Sequence, residues 1–110
     1  MFAKRWTTFK CFILNSDNLR ILDSRSGIKA AALENAAKGI TVNAVCPGYV
    51  ATDLIAGVAD DMMARIVSGI PVGRIGEPDE IARCVLFLVA DEAGFITGST
   101  LSVNGGAYMI

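Results

Sequence analysis

The chain has 110 residues and a formal net charge of −1, with 53% hydrophobic and 19% charged residues. This length suits one small domain, and the apolar content excludes a disordered chain. The near-zero charge indicates neither a nucleic-acid partner nor an anionic membrane surface. No histidine is present, and the three cysteines, Cys11, Cys46 and Cys84, are widely spaced, which predicts buried free thiols rather than disulfides or a metal site.

The first 26 residues differ in charge from the rest of the chain. They hold five basic and two acidic residues, whereas the remainder is acidic. They show no clear period, and their apolar run at 11–14 is shorter than the hydrophobic region of a signal peptide. No apolar run in the chain is long enough to span a bilayer. We therefore predict a non-homologous or disordered leader over 1–26 and a folded part over 27–110, in a soluble cytoplasmic protein.

The next stretch predicts a helix followed by a strand. Alanines dominate 27–38, and Lys38-Gly39 is typical of a helix end. Residues 40–46 are apolar or β-branched at most positions and alternate only weakly, which predicts a parallel strand covered on both faces. Pro47-Gly48 ends this strand. The loop 47–53 then lies at the strand's carboxyl end, where open α/β sheets bind their ligands.

After this loop, residues 54–68 predict one or two helices, with Asp60 and Asp61 in a first turn. Met62 and Met63 either fill core space, which is the favoured interpretation, or line a flexible substrate lid. A loop over 70–77 follows.

The last third of the chain predicts a helix and a short strand. Pro78 begins a helix, with the acids Asp79 and Glu80 beside the positive end of its dipole. The helix continues to about Ala90 and is apolar nearly all round, so we expect it to be buried, in part against another subunit. Residues 100–103 predict a strand, and Asn104-Gly105-Gly106 a turn that lets the C-terminal tail fold back or reach a partner. Taken together, these predicted elements indicate an α/β fold with about two parallel strands, flanking helices and one open apolar strand edge.

Three blocks of sequence form a recognisable set: VNAVCPGYVATD at 42–53, IPVGRIGEPDEIA at 70–82 and TGSTLSVNGG at 97–106. In their composition, order and spacing they resemble the short-chain dehydrogenase/reductase family. The resemblance covers about residues 29–109 and is greatest to the 3-oxoacyl reductase group, which includes the acetoacetyl-CoA reductases.

This resemblance implies the C-terminal part of a Rossmann-like doubly wound sheet. It also implies NADP as cofactor, with NAD as the alternative, and reduction of a 3-oxoacyl thioester to the 3-hydroxyacyl thioester. The implied site residues are Pro47, Gly48, Val50 and Thr52 for the cofactor, and Gly48 and Tyr49 for the substrate.

In this interpretation the Pro47–Val50 backbone approaches the nicotinamide, and the Thr52 hydroxyl binds its carboxamide or a phosphate. A glycine permits close approach, and a hydroxyl can donate or accept. The alternative interpretation is a Pro-Gly turn with a helix-capping Thr52 and an exposed Tyr49. Arg74 either contacts a phosphate of CoA or, as we favour, is a solvated loop residue.

The motifs that carry the family's catalytic groups are not found in this sequence. No GxGxxG or TGxxxG occurs. The Tyr-x-x-x-Lys pair would fall on Asp17 and Ile21, or with one gap on Ser16 and Arg20, and neither pair can serve as proton donor and activating cation. We therefore predict a truncated form that is inactive alone, with no catalytic residue and no metal ligand.

Two alternatives to a reductase of 3-oxoacyl thioesters stay open. One is a non-catalytic fragment that binds subunits of an intact relative through the helix 79–90 and the strand 100–103, the same elements through which we expect a homo-oligomer. The other is a short-chain dehydrogenase that acts on a sugar or an alcohol.

Overall fold

The computed structural model describes residues 10–14 and 21–109. One helix connects the first two described strands, and three helices lie between the second and the third. In chain order these elements are β1 (Lys10–Leu14), α1 (Ile21–Asn35), β2 (Thr41–Pro47), α2 (Asp53–Ala56), α3 (Asp60–Ser68), α4 (Pro78–Val89) and β3 (Thr100–Val103). Short 3₁₀ turns follow α1 at Ala36–Lys38 and α4 at Asp91–Ala93.

The three described strands form one parallel sheet in the order β1-β2-β3. Lys10 of β1 lies opposite Thr41 of β2, and on the other edge of β2, Ala44 lies opposite Thr100 of β3. The predicted fold class, a parallel α/β sheet with flanking helices, is confirmed.

The sheet has one strand more than the two predicted. β1 lies within the segment interpreted as a leader, and it pairs with the edge of β2 that was expected to be open. Its sequence, KCFIL, contains residues that favour strands, but five residues without a period are a weak signal.

The central strand β2 is buried along most of its length. Residues 41–45 are all buried, and Val45 and Asn43 are 0% and 1% exposed. A strand with neighbours on both edges and helices on both faces has no solvent-facing side. This confirms the inference drawn from its weak alternation.

One face of β2 packs against α1. Ile28 and Ala32 of α1 form a buried cluster with Val42 and Ala44 of β2, and Ala31 is partly buried against it. These α1 residues recur at the three- and four-residue spacing of one helix face. The helix begins at Ile21 rather than at residue 27 as predicted, and the chain leaves its last turn at Gly39, whose φ of 75° is left-handed.

The opposite face of β2 carries Thr41, Asn43 and Val45, because side chains alternate along a strand. α4 is the helix that contacts all three strands. Only Leu88 of α4 is buried, whereas Leu86 and Phe87 are 65% and 59% exposed, so one chain does not cover this apolar helix. Its burial against another subunit stays a prediction. Among the described helices, none has the length and apolar character required to cross a membrane.

The buried amide of Asn43 joins β2 to the loop that leads into β3. Its Nδ2 donates to the Ile96 carbonyl at 3.0 Å, and its Oδ1 accepts from the Ser99 N–H at 3.1 Å. Beside it, the Val42 N–H donates to the Thr97 hydroxyl at 3.1 Å. These hydrogen bonds fix the start of β3 against β2.

Replacing Asn43 with Leu is expected to destabilise the fold by about 1–3 kcal/mol, because the Ile96 carbonyl and the Ser99 N–H lose a partner in a partly buried position. Urea denaturation measures the change. Asn35→Leu is the matched control, since the Asn35 amide donates to the Ala31 carbonyl within its own helix. An equal loss in both variants would contradict the role assigned to Asn43.

Candidate functional site

The predicted site residues lie on one loop at the carboxyl end of the central strand. β2 ends at Pro47, and the Gly48 N–H donates to the Val103 carbonyl of β3 at 2.9 Å. The hydrogen-bonded ladder between β2 and β3 thus continues one residue into the loop. The ends of two adjacent strands therefore carry the loop, at the edge where parallel sheets bind ligands.

Gly48 is required by packing within the protein. A Cβ at this position would lie 2.7 Å from Cβ and 2.9 Å from Cα of Asn104. The sequence analysis explained this glycine by the close approach of a ligand. In the structure, the space on its Cβ side is taken by the chain that follows β3.

A second set of hydrogen bonds holds the middle of the loop. Val50 forms an isolated parallel bridge with Gly76, just before α4. The Ala51 N–H donates to the Gly76 carbonyl at 2.9 Å, and the Gly76 N–H donates to the Tyr49 carbonyl at 2.9 Å. The backbone of residues 49–51 is therefore fixed on the side of α4 as well as on that of β3.

Thr52 immediately precedes α2. Its backbone is extended (φ −121°, ψ 171°), and its carbonyl accepts from the N–H groups of Ile55 and Ala56. Its hydroxyl makes no capping hydrogen bond. Thr52 therefore occupies the N-cap position of α2, as the helix-capping interpretation expected, although its exposed hydroxyl is free of that helix end.

Two clefts flank the loop. The larger, of about 380 Å³, lies beside Thr52 and is lined by Asp53, Asp60 and Met63, with apolar walls from Ala51, Ile55, Ala56, Val58 and Ile75. α3 contains no buried residue, so the core-filling interpretation of its methionines is wrong. Met63 instead lines this cleft.

The smaller cleft, of about 160 Å³, lies on the other side of the loop. Tyr49, which is half exposed, lines it together with Arg74, Glu80 and Asn104. The structure thus places Tyr49 and Thr52 at different clefts.

Arg74 forms a bidentate ion pair with Glu80 in the smaller cleft. Its two terminal nitrogens lie 2.9 and 2.8 Å from the two carboxylate oxygens. Glu80 Oε2 also accepts from the Glu77 N–H at 2.8 Å, at the first turn of α4. Arg74 is solvent-exposed, as the favoured interpretation of a loop arginine expects, but its guanidinium is paired.

These contacts stabilise the charged forms of both groups. The hydrogen bond from Arg74, followed by that from the Glu77 backbone, lowers the pKa of Glu80 from 4.5 to about 2. The same hydrogen bond and the charge of Glu80 raise the pKa of Arg74.

The sequence analysis did not find this ion pair. It interpreted Asp79 and Glu80 only as acids near the positive end of a helix dipole. A glutamate three residues after Glu77, the residue that precedes the helix, is the signal that could have shown that Glu80 bonds back to the backbone at the helix start.

The turn after β3 folds back onto the loop that precedes α4. The Val72 N–H donates to the Gly105 carbonyl at 3.1 Å, and Asn104 Nδ2 donates to the Tyr108 carbonyl at 2.8 Å. Gly105 has a left-handed φ of 62°, and a Cβ there would lie 2.8 Å from Ile70. Of the two roles predicted for this turn, the tail that folds back is confirmed.

This architecture, a parallel sheet with helices on both faces and a loop at the carboxyl ends of its strands, defines an open α/β sheet protein. A family model described as enoyl-(acyl carrier protein) reductase matches residues 25–108. The chain belongs to the short-chain dehydrogenase/reductase family.

Curated relatives include two acetoacetyl-CoA reductases. This chain is 62% identical to that of Rhizobium meliloti (strain 1021) over 81 residues, which cover 73% of the chain. It is 60% identical to that of Shinella zoogloeoides over 83 residues, 74% of the chain. It is also similar to the 3-oxoacyl-[acyl-carrier-protein] reductase FabG of Haemophilus influenzae, with 53% identity over 81 residues, again 74% of the chain. The matched residues span 34% of each relative.

Replacing Gly48 with Ala is expected to destabilise the protein by about 1–3 kcal/mol, because the added methyl would overlap the backbone of Asn104. Gly27→Ala is the control, since Gly27 lies within α1 with open space around it. That change is expected to stabilise the helix by about 0.5–1 kcal/mol. Thermal or urea denaturation compares the two variants, and a Gly48→Ala protein as stable as the parent would show that this contact imposes no constraint.

Proposed function

We propose that this chain forms the cofactor loop and substrate mouth of an NAD(P)H-dependent reductase. The substrates are 3-oxoacyl thioesters such as acetoacetyl-CoA, and the products are 3-hydroxyacyl thioesters. The relatives at 53–62% identity are reductases of acetoacetyl-CoA or of 3-oxoacyl-[acyl-carrier-protein], which supports this chemistry. The observation that carries the proposal is the loop itself, which has a fixed backbone and exposed side chains at the carboxyl end of the central strand.

The loop residues fit a nicotinamide cofactor. The exposed Thr52 hydroxyl, free of the α2 end, is suited to bind the carboxamide or a phosphate. The backbone of Pro47, Gly48 and Val50 lies at the edge where such a ring would be held. When bound, the reduced nicotinamide supplies a hydride to the substrate carbonyl carbon.

The clefts suit a thioester substrate. Ile55, Val58 and Met63 provide an apolar wall beside Thr52 that can contact an acyl chain. Tyr49 has its ring half exposed at the opposite cleft, where it can contact the thioester end of the substrate.

The proton that completes the reduction needs a donor outside this loop. The two tyrosines are Tyr49 and Tyr108, and neither is followed four positions later by a lysine; position 53 is an aspartate. No Tyr-x-x-x-Lys pair therefore occurs in these 110 residues. The 110-residue chain alone is therefore proposed to be inactive.

A chimera tests this function. Residues 27–110 replace the matching segment of the Rhizobium meliloti relative, and the loss of NADPH absorbance is followed with acetoacetyl-CoA. We expect turnover by the chimera and none by the 110-residue chain. Thr52→Val in the chimera should raise the KM for NADPH about tenfold, the size of one lost hydrogen bond at a cofactor.

Thr52→Ser is the control in the same chimera, since serine retains the hydroxyl that Thr52→Val removes. A folded chimera without turnover, or equal effects of the two threonine changes, would contradict the proposed role of the loop. Turnover by the isolated chain would contradict its proposed inactivity.

A second function, association with other subunits, is supported by the exposed apolar surface of α4 and the outer edge of β3. Leu86, Phe87 and Val89 of α4 are exposed, and the outer edge of β3 has no strand partner among residues 10–14 and 21–109. Exposed apolar side chains beside a free strand edge are features of subunit interfaces. We propose that the chain associates through α4 and β3, with copies of itself or with an intact relative.

Association is expected to depend on Phe87. Phe87→Ser should weaken self-association about tenfold, because an aromatic anchor leaves the interface. Light scattering after size-exclusion chromatography measures the shift across a concentration series. Phe95→Ser is the matched control, because Phe95 is fully exposed but lies outside α4 and β3. A monodisperse monomer of the parent chain would contradict this function.

A further inference from the structure

The backbone of the candidate loop depends on a segment that is distant in sequence. Two of its hydrogen bonds go to Gly76, namely Ala51 N–H to the Gly76 carbonyl and Gly76 N–H to the Tyr49 carbonyl, both at 2.9 Å. Gly76 itself needs a fixed position for these bonds to hold the loop in one geometry.

The residues on both sides of Gly76 are held by one ion pair. Before it, Arg74 Nη1 donates to the Ile75 carbonyl at 3.2 Å. After it, the Glu77 N–H donates to Glu80 Oε2 at 2.8 Å. Arg74 and Glu80 close this arrangement through their bidentate contact at 2.9 and 2.8 Å.

We propose that Arg74 and Glu80 are positioning residues which, through Gly76, set the backbone of residues 49–51. The ion pair anchors 74–77 to the first turn of α4, and the two hydrogen bonds of Gly76 transmit that position to the loop. Tyr49 and Glu80 also line the same cleft, so the ion pair lies beside the side chain it orients.

The pairing geometry suits this role better than a general contribution to stability. Exposed ion pairs contribute little to stability, but a guanidinium fork bound to both oxygens of a carboxylate restricts both side chains to one arrangement. Here that carboxylate also accepts a backbone N–H at the start of α4. A change at Glu80 therefore acts first on the few residues next to it.

Hydrogen exchange of individual amides in the 110-residue chain tests the proposal. In Glu80→Gln, exchange at Ala51 and Gly76 should rise about 3- to 10-fold, the range expected for loss of a bidentate charged contact. Exchange at Ala44, whose N–H donates to Ser99 within the core, should stay at its parent value.

Asp79→Asn is the matched control, because it removes one carboxylate from the same helical turn without touching Arg74. Its exchange rates should equal those of the parent. Arg74→Lys retains the charge without the fork and should give an intermediate rise. Unchanged exchange in Glu80→Gln, equal effects of Asp79→Asn, or a uniform rise that includes Ala44 would each overturn the proposal.

The unmodified chain provides a second test that needs no variant. The pKa of Glu80 is lowered to about 2, so its charged contact is complete above about pH 4.5 and is lost as the pH falls through 2. The charged groups that act on the pair are Glu77 and Arg83, and Tyr49 is the titratable group across the cleft.

NMR shifts of the Ala51 and Gly76 amides should follow this titration, with Ala44 as the reference. No shift at Ala51 and Gly76 as the pH falls from 4.5 to 2, or an equal shift at Ala44, would overturn the proposal.

The positioning role of Arg74 and Glu80 does not require the proposed reductase function. Only the identity of the ligand that the loop would bind rests on that function. Exchange and shifts are measured without cofactor or substrate. A negative result therefore leaves the reductase chimera unaffected, and an inactive chimera leaves the positioning role intact.

Discussion

The buried amide of Asn43 is the interaction on which the rest of this structure depends. It lies on the central strand with 1% of its surface exposed and bonds to Ile96 and Ser99, on either side of the turn into β3. A side chain that pairs with both a carbonyl and an N–H fixes the direction of that turn as well as its distance from β2. β3 then begins in register with β2 at Ala44.

The loop geometry follows from that register. With β3 in place, the Val103 carbonyl accepts from the Gly48 N–H, and Asn104 fills the space that a Cβ of residue 48 would need. On its other side the loop is bonded to Gly76. Its backbone is thus held by two elements that are far from it in sequence, while Tyr49 and Thr52 keep exposed side chains. A fixed backbone with accessible side chains is the arrangement that positions a ligand without ordering the loop anew at each binding event.

Local sequence patterns predicted much of the fold. The weak alternation over β2 predicted a strand covered on both faces, and Pro78 with the acids after it predicted the start of α4. β3 was predicted at its observed bounds. The start of α1 was not, because Gly27 was interpreted as a boundary and instead lies within the helix, where open space surrounds it. β1 was missed because its pairing with β2 is a long-range contact that leaves no period in five residues.

The sequence by itself determined the family, the loop that carries the candidate site and the residue types available there. Only the tertiary structure decided why those residues are needed. Gly48 faces Asn104, Met63 lines a cleft, and Arg74 is paired with Glu80. Each of these facts is a contact between segments distant along the chain. A local pattern records propensity and burial, whereas the identity of the neighbour depends on how strands and helices are arranged in space.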